Sequence, residues 1–171
     1  MQDPSRLGQR ARDFLEEYRQ VQTHLSLPMP NTRNQRSWSR PPQRYFKLNF
    51  DAAVFNDINA SGVGAVIQND LGEVMASLSA RGPQVVDNEE AEVLACRKAL
   101  EFAVESGFSE LIIEGDNEFV MKSIAGSRPS LSRLGHLYAD IQCIASGLHS
   151  VFITCVHRDA NSVAHSLARH A

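Results

Sequence analysis

Residues Tyr45–Asn56 read YFKLNFDAAVFN. Phe46, Leu48 and Phe50 alternate with Lys47, Asn49 and Asp51, the period-2 pattern of a strand with one apolar face. The alternation breaks after Asp51, where Ala52, Ala53, Val54 and Phe55 follow. An acid between Phe50 and Ala52 is expected to be partly buried at the middle of a sheet. Such a carboxylate needs a cation or a donor beside it, or it keeps its proton. A lone Asp more often ends on the surface near a strand end, so Asp51 gains weight only from company. Two further acids lie downstream in similarly apolar settings, and a shared metal ion is the economical answer.

Working outward, NDINASG after this strand is turn chemistry. The runs GVGAVIQN and GEVMASLSA are separated by Asp70-Leu71-Gly72, a hairpin signature. The pattern predicts a meander of three antiparallel strands over residues 45–80. Gly62 and Gly64 open the second strand, where backbone is expected to approach a partner closely. Their G-x-G does not open a helix, which argues against a dinucleotide loop.

Asp87-Asn88-Glu89-Glu90 is a capping box of the D-x-x-E type, and it predicts a helix running through AEVLACRKALEFAVES to Gly107. The expected apolar stripe is Ala91, Leu94, Ala95, Ala99, Phe102 and Ala103. Glu92 lies beside Ala95 and Ala99, small residues that let this face approach a sheet. Glu89, Glu90, Glu101 and Glu105 are expected to face water.

LIIEGD at 111–116 is a short apolar strand ending in Asp116. After a helical crossover its natural pairing is parallel to the first strand. Ligand sites of open α/β sheets lie at the carboxyl ends of such strands, which places Asp116 well. Glu114 shares its face by strand parity and is the main decoy. Helices at Glu118–Ile124 and Leu131–Ser146, a strand in SVFITCVH and a last helix over Ala160–Ala171 complete the chain.

Ahead of the first strand, Leu7, Ala11, Phe14, Leu15, Tyr18 and Val21 recur at helical spacing, with Ser5 as cap, and predict a helix between Leu7 and Leu25. LSLPMPNTRNQRSWSRPPQR then reads as a basic Pro/Ser-rich linker. The expected organisation is an N-terminal helix and linker over 1–43 and one domain over 44–171. Trp38 offers a ring for stacking on a base. With few basic residues clustered around it, tucking onto the domain is the simpler expectation.

The chain has 171 residues, 43% of them apolar and 22% charged, the composition of a soluble globular protein. Residues 1–44 carry 8 Lys/Arg and 4 Asp/Glu, residues 45–171 carry 9 and 16, and the net charge is -3. An acidic body argues against tight unaided binding to nucleic acid, though not against a partner reached through divalent metal or helped by the basic arm. Cys96, Cys143 and Cys155 show no CxxC spacing and fall in apolar periodic segments, so buried reduced thiols are expected. No apolar run is long enough to span a membrane and the N-terminus lacks a signal-peptide core, so an intracellular protein is expected, in nucleus or cytoplasm; separately, a monomer is expected.

The order β-β-β-α-β-α-α-β-α, with KLNFDAA, AEVLACRKAL, LIIEGDNEFVMKSI and HRDANSVAHSLA in sequence, resembles type 1 ribonuclease H. It is most similar to the plant domains related to the ribonuclease H of non-LTR retroelements, a likeness that extends to W-x-x-P-P at Trp38–Pro42. The resemblance covers about residues 44–171. It implies a ribonuclease H-like α/β fold: a five-stranded mixed sheet, three strands antiparallel and two parallel, flanked by helices.

The resemblance further implies an endonuclease that hydrolyses the RNA strand of RNA–DNA hybrids with two divalent ions, Mg²⁺ or alternatively Mn²⁺, about 4 Å apart. Carried over residue by residue, Asp51 would bridge both ions, with Glu92 and Asp116 completing one of them. The family's fourth acid lies in an N-x-x-A-D-x-L-A context; here the match is Asn161–Ala168, and His165 stands at the acid's position. As a metal ligand its nitrogen suits Mg²⁺ less than Mn²⁺, so reduced activity is expected; the alternative is that His165 caps or packs on the last helix without touching metal. Asp159 is read as the cap of the last helix, and the preceding loop is too short to equate His157 with the histidine of bacterial enzymes. Asn56, Asn88 and Asn117 are candidates for reading the RNA 2′-hydroxyl. The alternative reading is a catalytically weak or silent nucleic-acid-binding domain left from a retroelement.

Overall fold

The computed structural model describes residues 37–126 and 133–171. The helix expected between Leu7 and Leu25, the linker up to residue 36 and the start of the helix expected from Leu131 lie outside the described residues. β1 spans Phe46–Phe55, β2 Ala60–Gln68 and β3 Val74–Gly82, and they form the expected antiparallel meander. A 3-10 turn at Asn56–Ile58 and a left-handed Asn59 make the first reversal. In the second, the Asn69 side chain accepts from the amides of Leu71 and Glu73.

Helix α1 spans Asn88–Glu105, strand β4 Glu110–Gly115, helix α2 Glu118–Ala125 and helix α3 Gly135–Ser146. Strand β5 covers Ser150–Cys155, and a 3-10 turn at Arg158–Asn161 leads into helix α4, Ser162–Arg169. The sheet order is β3-β2-β1-β4-β5, with β4 parallel to both β1 and β5. This is the five-stranded mixed sheet that the motif order implied.

Strand parity sorts the core. Leu48 and Phe50 of β1, Val63, Ala65 and Ile67 of β2, and Leu111 and Ile113 of β4 join one apolar cluster with α1, α2 and α3. The opposite parity of β1, Lys47, Asn49 and Asp51, is buried as well. On that side α4 lies directly on β2. A Cβ at Gly62 would run into the carbonyl oxygen of Ala168, and one at Gly64 into that of Ala164. The close approach expected at these glycines is therefore made by the last helix, which turns small buried Ala164 and Ala168 toward the sheet.

The capping box of α1 closes as a wider ring than expected. Asp87 accepts from the Glu90 amide at 2.8 Å, but the Glu90 carboxylate reaches the amide of Val86, one residue before the cap, at 2.7 Å. The buried arc of the helix is also broader than one stripe. Val93, Cys96 and Leu100 are fully buried, while Leu94 and Phe102 are only partly so. The cause is that α1 is packed between the sheet and α3 and so has two covered sides.

The expectation that its glutamates face water holds only in part, because three of them are half-buried and paired. Glu89 accepts from Tyr138 Oη at 3.0 Å, Glu90 pairs with Arg133 at 3.1 Å and Glu101 with Arg97 at 3.1 Å. Of the four, only Glu105 is exposed. Cys96 is buried and Cys155 half-buried, but Cys143 is exposed because its side of α3 faces away from α1 and α2; none of the three forms a disulfide. Asp159 does not cap the last helix, because the 3-10 turn intervenes. It is exposed, 3.2 Å from His157 Nδ1, and His157 itself accepts from the Asp159 amide. Among the described residues, no helix is long and apolar enough to cross a membrane.

Candidate active site

Register brings the first two acids together. Asn49 pairs with Glu114 across the parallel β1–β4 ladder, so Asp51 and Asp116, two residues further along each strand, lie side by side at its carboxyl end. Glu92 reaches the same point from the second turn of α1. Asp51, Glu92 and Asp116 each offer a carboxylate oxygen, and the three oxygens lie within 4.8 Å of one another. They line a cleft of about 640 Å³ that also holds Asn56, Asn88 and Asn117, together with His165, Arg158 and Arg169.

Three acids this close cannot all ionise freely. Burial pushes Glu92 up to about 9, helped by the charges of Asp51 and Asp116 and by a shared hydrogen bond with Asp51, against the Ala52 amide. Burial also raises Asp116, with the charge of Asp51 adding to it and that of Arg158 opposing. Glu92 Oε2 is buried and has no hydrogen-bond partner. A buried carboxylate oxygen without a donor is costly unless a cation fills the gap, and an all-oxygen donor set suits Mg²⁺ or Mn²⁺. The residues present fit a divalent ion. One turn further along α1, burial and the charge of Glu92 raise the Cys96 thiol, which stays protonated and offers no ligand.

The decoy is accounted for by its partners. Glu114 forms a buried ion pair with Lys47 at 2.7 Å and accepts from Asn49 Nδ2 at 3.0 Å. Asn49 also donates to Asn161 Oδ1 at 3.3 Å and accepts from Trp38 Nε1 at 3.2 Å, while Lys47 lies 5.4 Å from the centre of the Trp38 ring. Trp38 is thus tucked onto the domain, as the simpler expectation had it. Neither Glu114 nor Asp159 joins the carboxylate cluster.

His165 comes to the site through Asp51. Its Nδ1 lies 2.6 Å from Asp51 Oδ2, and its Nε2 lies 3.2 Å from an Arg158 guanidinium nitrogen. The other Asp51 oxygen, Oδ1, accepts from the Ala52 amide at 2.9 Å. Sequence reasoning gave no role to Arg158 or Arg169, the two cations of the cleft. Arg158 stands inside the quoted HRDANSVAHSLA stretch, but only folding shows which way a turn residue reaches.

The family described as reverse transcriptase-like matches residues 49–171. No curated protein sequence matches the chain. Among solved structures, ribonuclease H1 from the halophilic archaeon Halobacterium salinarum NRC-1 is similar, with a TM-score of 0.67 and 27% identity over 74% of this chain and 96% of that one. The N-terminal ribonuclease H domain of rv2228c from Mycobacterium tuberculosis gives 0.66 and 24%, over 74% and 92% of the two chains. LC11 ribonuclease H1, solved in complex with an RNA/DNA hybrid, gives 0.65 and 22%, over 74% and 95%. These two lower identities speak for the fold alone. With a family match spanning well over half of its length and a sheet and site of this architecture, the chain belongs to the reverse transcriptase-like family and carries the ribonuclease H fold.

Proposed function

We propose that the protein is a divalent-metal-dependent endonuclease that hydrolyses the RNA strand of RNA–DNA hybrids, with Mg²⁺ or Mn²⁺ as cofactor. The observation that carries this reading is the cluster of Asp51, Glu92 and Asp116, with the buried Glu92 oxygen lacking any partner. These three would hold the metal. A pair of divalent ions, when bound, supplies a nucleophile at neutral pH and charge neutralisation at the leaving oxygen. The 27% identity to a ribonuclease H1 supports reading the chain as a ribonuclease H, and the hybrid substrate follows from the motif resemblance.

The chain's own groups have separate work around that centre. Asp51 is fixed at both oxygens, by the Ala52 amide and by His165, and so presents a set geometry. Asn117 spends its side-chain oxygen on capping α2 through the Val120 amide at 3.2 Å, which leaves its NH₂ free to donate into the cleft. With Asn56 and Asn88 it is suited to a 2′-hydroxyl, which accepts and donates. Arg169, and the Arg158 N–H groups not used on His165, are suited to backbone phosphate. The W-x-x-P-P at Trp38–Pro42 supports placing the chain in the plant, retroelement-related group.

His165 in place of a fourth carboxylate lowers the negative charge available to the ions, and this favours a slower enzyme or, as a second reading, a silent hybrid-binding domain. Cleavage of an end-labelled RNA–DNA hybrid in Mg²⁺ and in Mn²⁺ separates the two. Cutting that is lost in Asp116→Asn and raised in Mg²⁺ by His165→Asp is the expected result. Binding of the hybrid without any cutting would leave the silent domain as the answer, and cutting that survives Asp116→Asn would remove the site from the chemistry.

A further inference from the structure

The last helix brings a hydrogen-bonded relay to the carboxylate cluster, and its chemistry has only one consistent protonation pattern. A guanidinium is donor-only and an ionised carboxylate is acceptor-only. His165 has Arg158 against Nε2 and Asp51 against Nδ1. Arg158 must therefore donate to a bare Nε2, and the ring proton must lie on Nδ1, where it donates to Asp51 Oδ2. Both ring nitrogens of the imidazole are then committed, Nδ1 as donor and Nε2 as acceptor, and no lone pair is left for a metal ion. The contact is a built one. The Asp51 side chain is 4% exposed and that of His165 25%, and the helix is seated by the two glycines of β2.

We propose that His165 is a positioning residue and not a metal ligand, and that Arg158 sets its tautomer. The pair replaces the charge of a fourth acid with a donor that holds Asp51 in one orientation beside Glu92 and Asp116. A ligand's partner of this kind commonly changes metal affinity by about 10–100-fold when removed. The inference deepens the metal-site reading above and rests on it, but its first measurement needs neither metal nor substrate.

In the metal-free full chain, two-bond ¹H–¹⁵N spectra of the imidazoles report the tautomer of each histidine. His165 is expected as the Nδ1–H form in the wild type and as a mixture in Arg158→Met. Calorimetric titration with Mg²⁺ and Mn²⁺ then tests the consequence. His165→Ala is expected to weaken binding by about tenfold, whereas His165→Asn, whose amide nitrogen can donate from near the place of Nδ1, stays within about threefold. Arg158→Met removes a charge near Asp116 in both backgrounds, so the tautomer's part is the difference between them: binding should weaken more in the wild type than in the His165→Asn background. An Nε2–H tautomer in the wild type overturns the proposal, as does His165→Asn binding as weakly as His165→Ala. So does an Arg158→Met loss of equal size in both backgrounds. If the tautomer and the affinities come out as expected while the hybrid is not cut, the proposed activity fails and the positioning role stands.

Discussion

At the scale of single residues, Glu92 carries the largest electrostatic strain in the described chain. Its carboxyl is raised from 4.5 to about 9 in the fold, chiefly by burial and by the charge of Asp51. A carboxyl raised in the folded state costs nothing below its ordinary value, where both states are protonated. Between that value and about 9 the unfolded chain ionises while the folded one keeps its proton, so stability falls as pH rises. The loss at pH 7 is up to about 3 kcal/mol. Asp116, also raised, adds in the same direction. In metal-free buffer, Glu92→Gln is therefore expected to melt roughly 5 °C above the wild type at pH 8 and level with it near pH 4.5. Parallel melting curves for the two proteins across that range would show that the cluster is not strained.

At the scale of elements, the seating of α4 on β2 decides whether the site is complete. Propensity favours alanine over glycine inside a strand by about 0.5–1 kcal/mol. Packing opposes it, because the added Cβ at position 64 would meet the Ala164 carbonyl oxygen and the backbone of Ala168, neither of which can rotate away. Overpacking of this kind costs about 1–3 kcal/mol, so packing wins. Gly64→Ala is expected to lower the urea midpoint and to loosen the contact between His165 and Asp51, because both depend on the same helix position. A Gly64→Ala variant as stable as the wild type, with His165 spectra unchanged, would mean that α4 adjusts freely. The element-level design is otherwise conservative: β1 pairs antiparallel on one side and parallel on the other, and that switch sets the two aspartates at one end.

At the scale of the whole molecule, among the described residues every strand and helix that builds the core lies between Phe46 and Arg169. The segment just before it is held by Trp38 on Asn49 and by Ser39, which accepts from Lys47 at 3.2 Å. A chain beginning at Ser37 is expected to keep its melting temperature within about 2 °C, whereas one beginning at Gln43 loses these contacts and falls by about 3 °C or more. A fall in the first truncation as large as in the second would show that residues 1–36 contribute to the fold. Divalent metal should act on the same scale. Mg²⁺ at ten times its dissociation constant stabilises by about 1.4 kcal/mol through mass action, a rise that Asp51→Asn should abolish. Equal responses in both proteins would place the ions elsewhere.

What the sequence by itself determined was what local physics governs. Alternation in YFKLNFDAAVFN, the turn at Asp70-Leu71-Gly72, the box at Asp87 and the apolar LIIEGD act over a few residues, and each becomes the element expected of it. Asp51 and Asp116 were legible for the same reason, since a strand end and a parallel register follow from the element order. Tertiary structure decided what depends on partners far along the chain. Glu114 and Asp116 share a parity, and only Lys47 and Asn49, arriving from β1, neutralise the one and leave the other to the cleft. Glu92 differs from Glu89 and Glu90 by which packed surface meets it: burial beside two aspartates raises one, while Tyr138 and Arg133 satisfy the others. Cys143 reads as core by periodicity and is exposed because its side of α3 is uncovered. His165 stands where the motif resemblance expects an acid, and what meets its two nitrogens could not be read from the motif. One partner comes from β1, 114 residues back in the chain, and the other from the turn before the helix. Hydrogen-bond direction and desolvation are properties of assembled surroundings, and no window of sequence contains them.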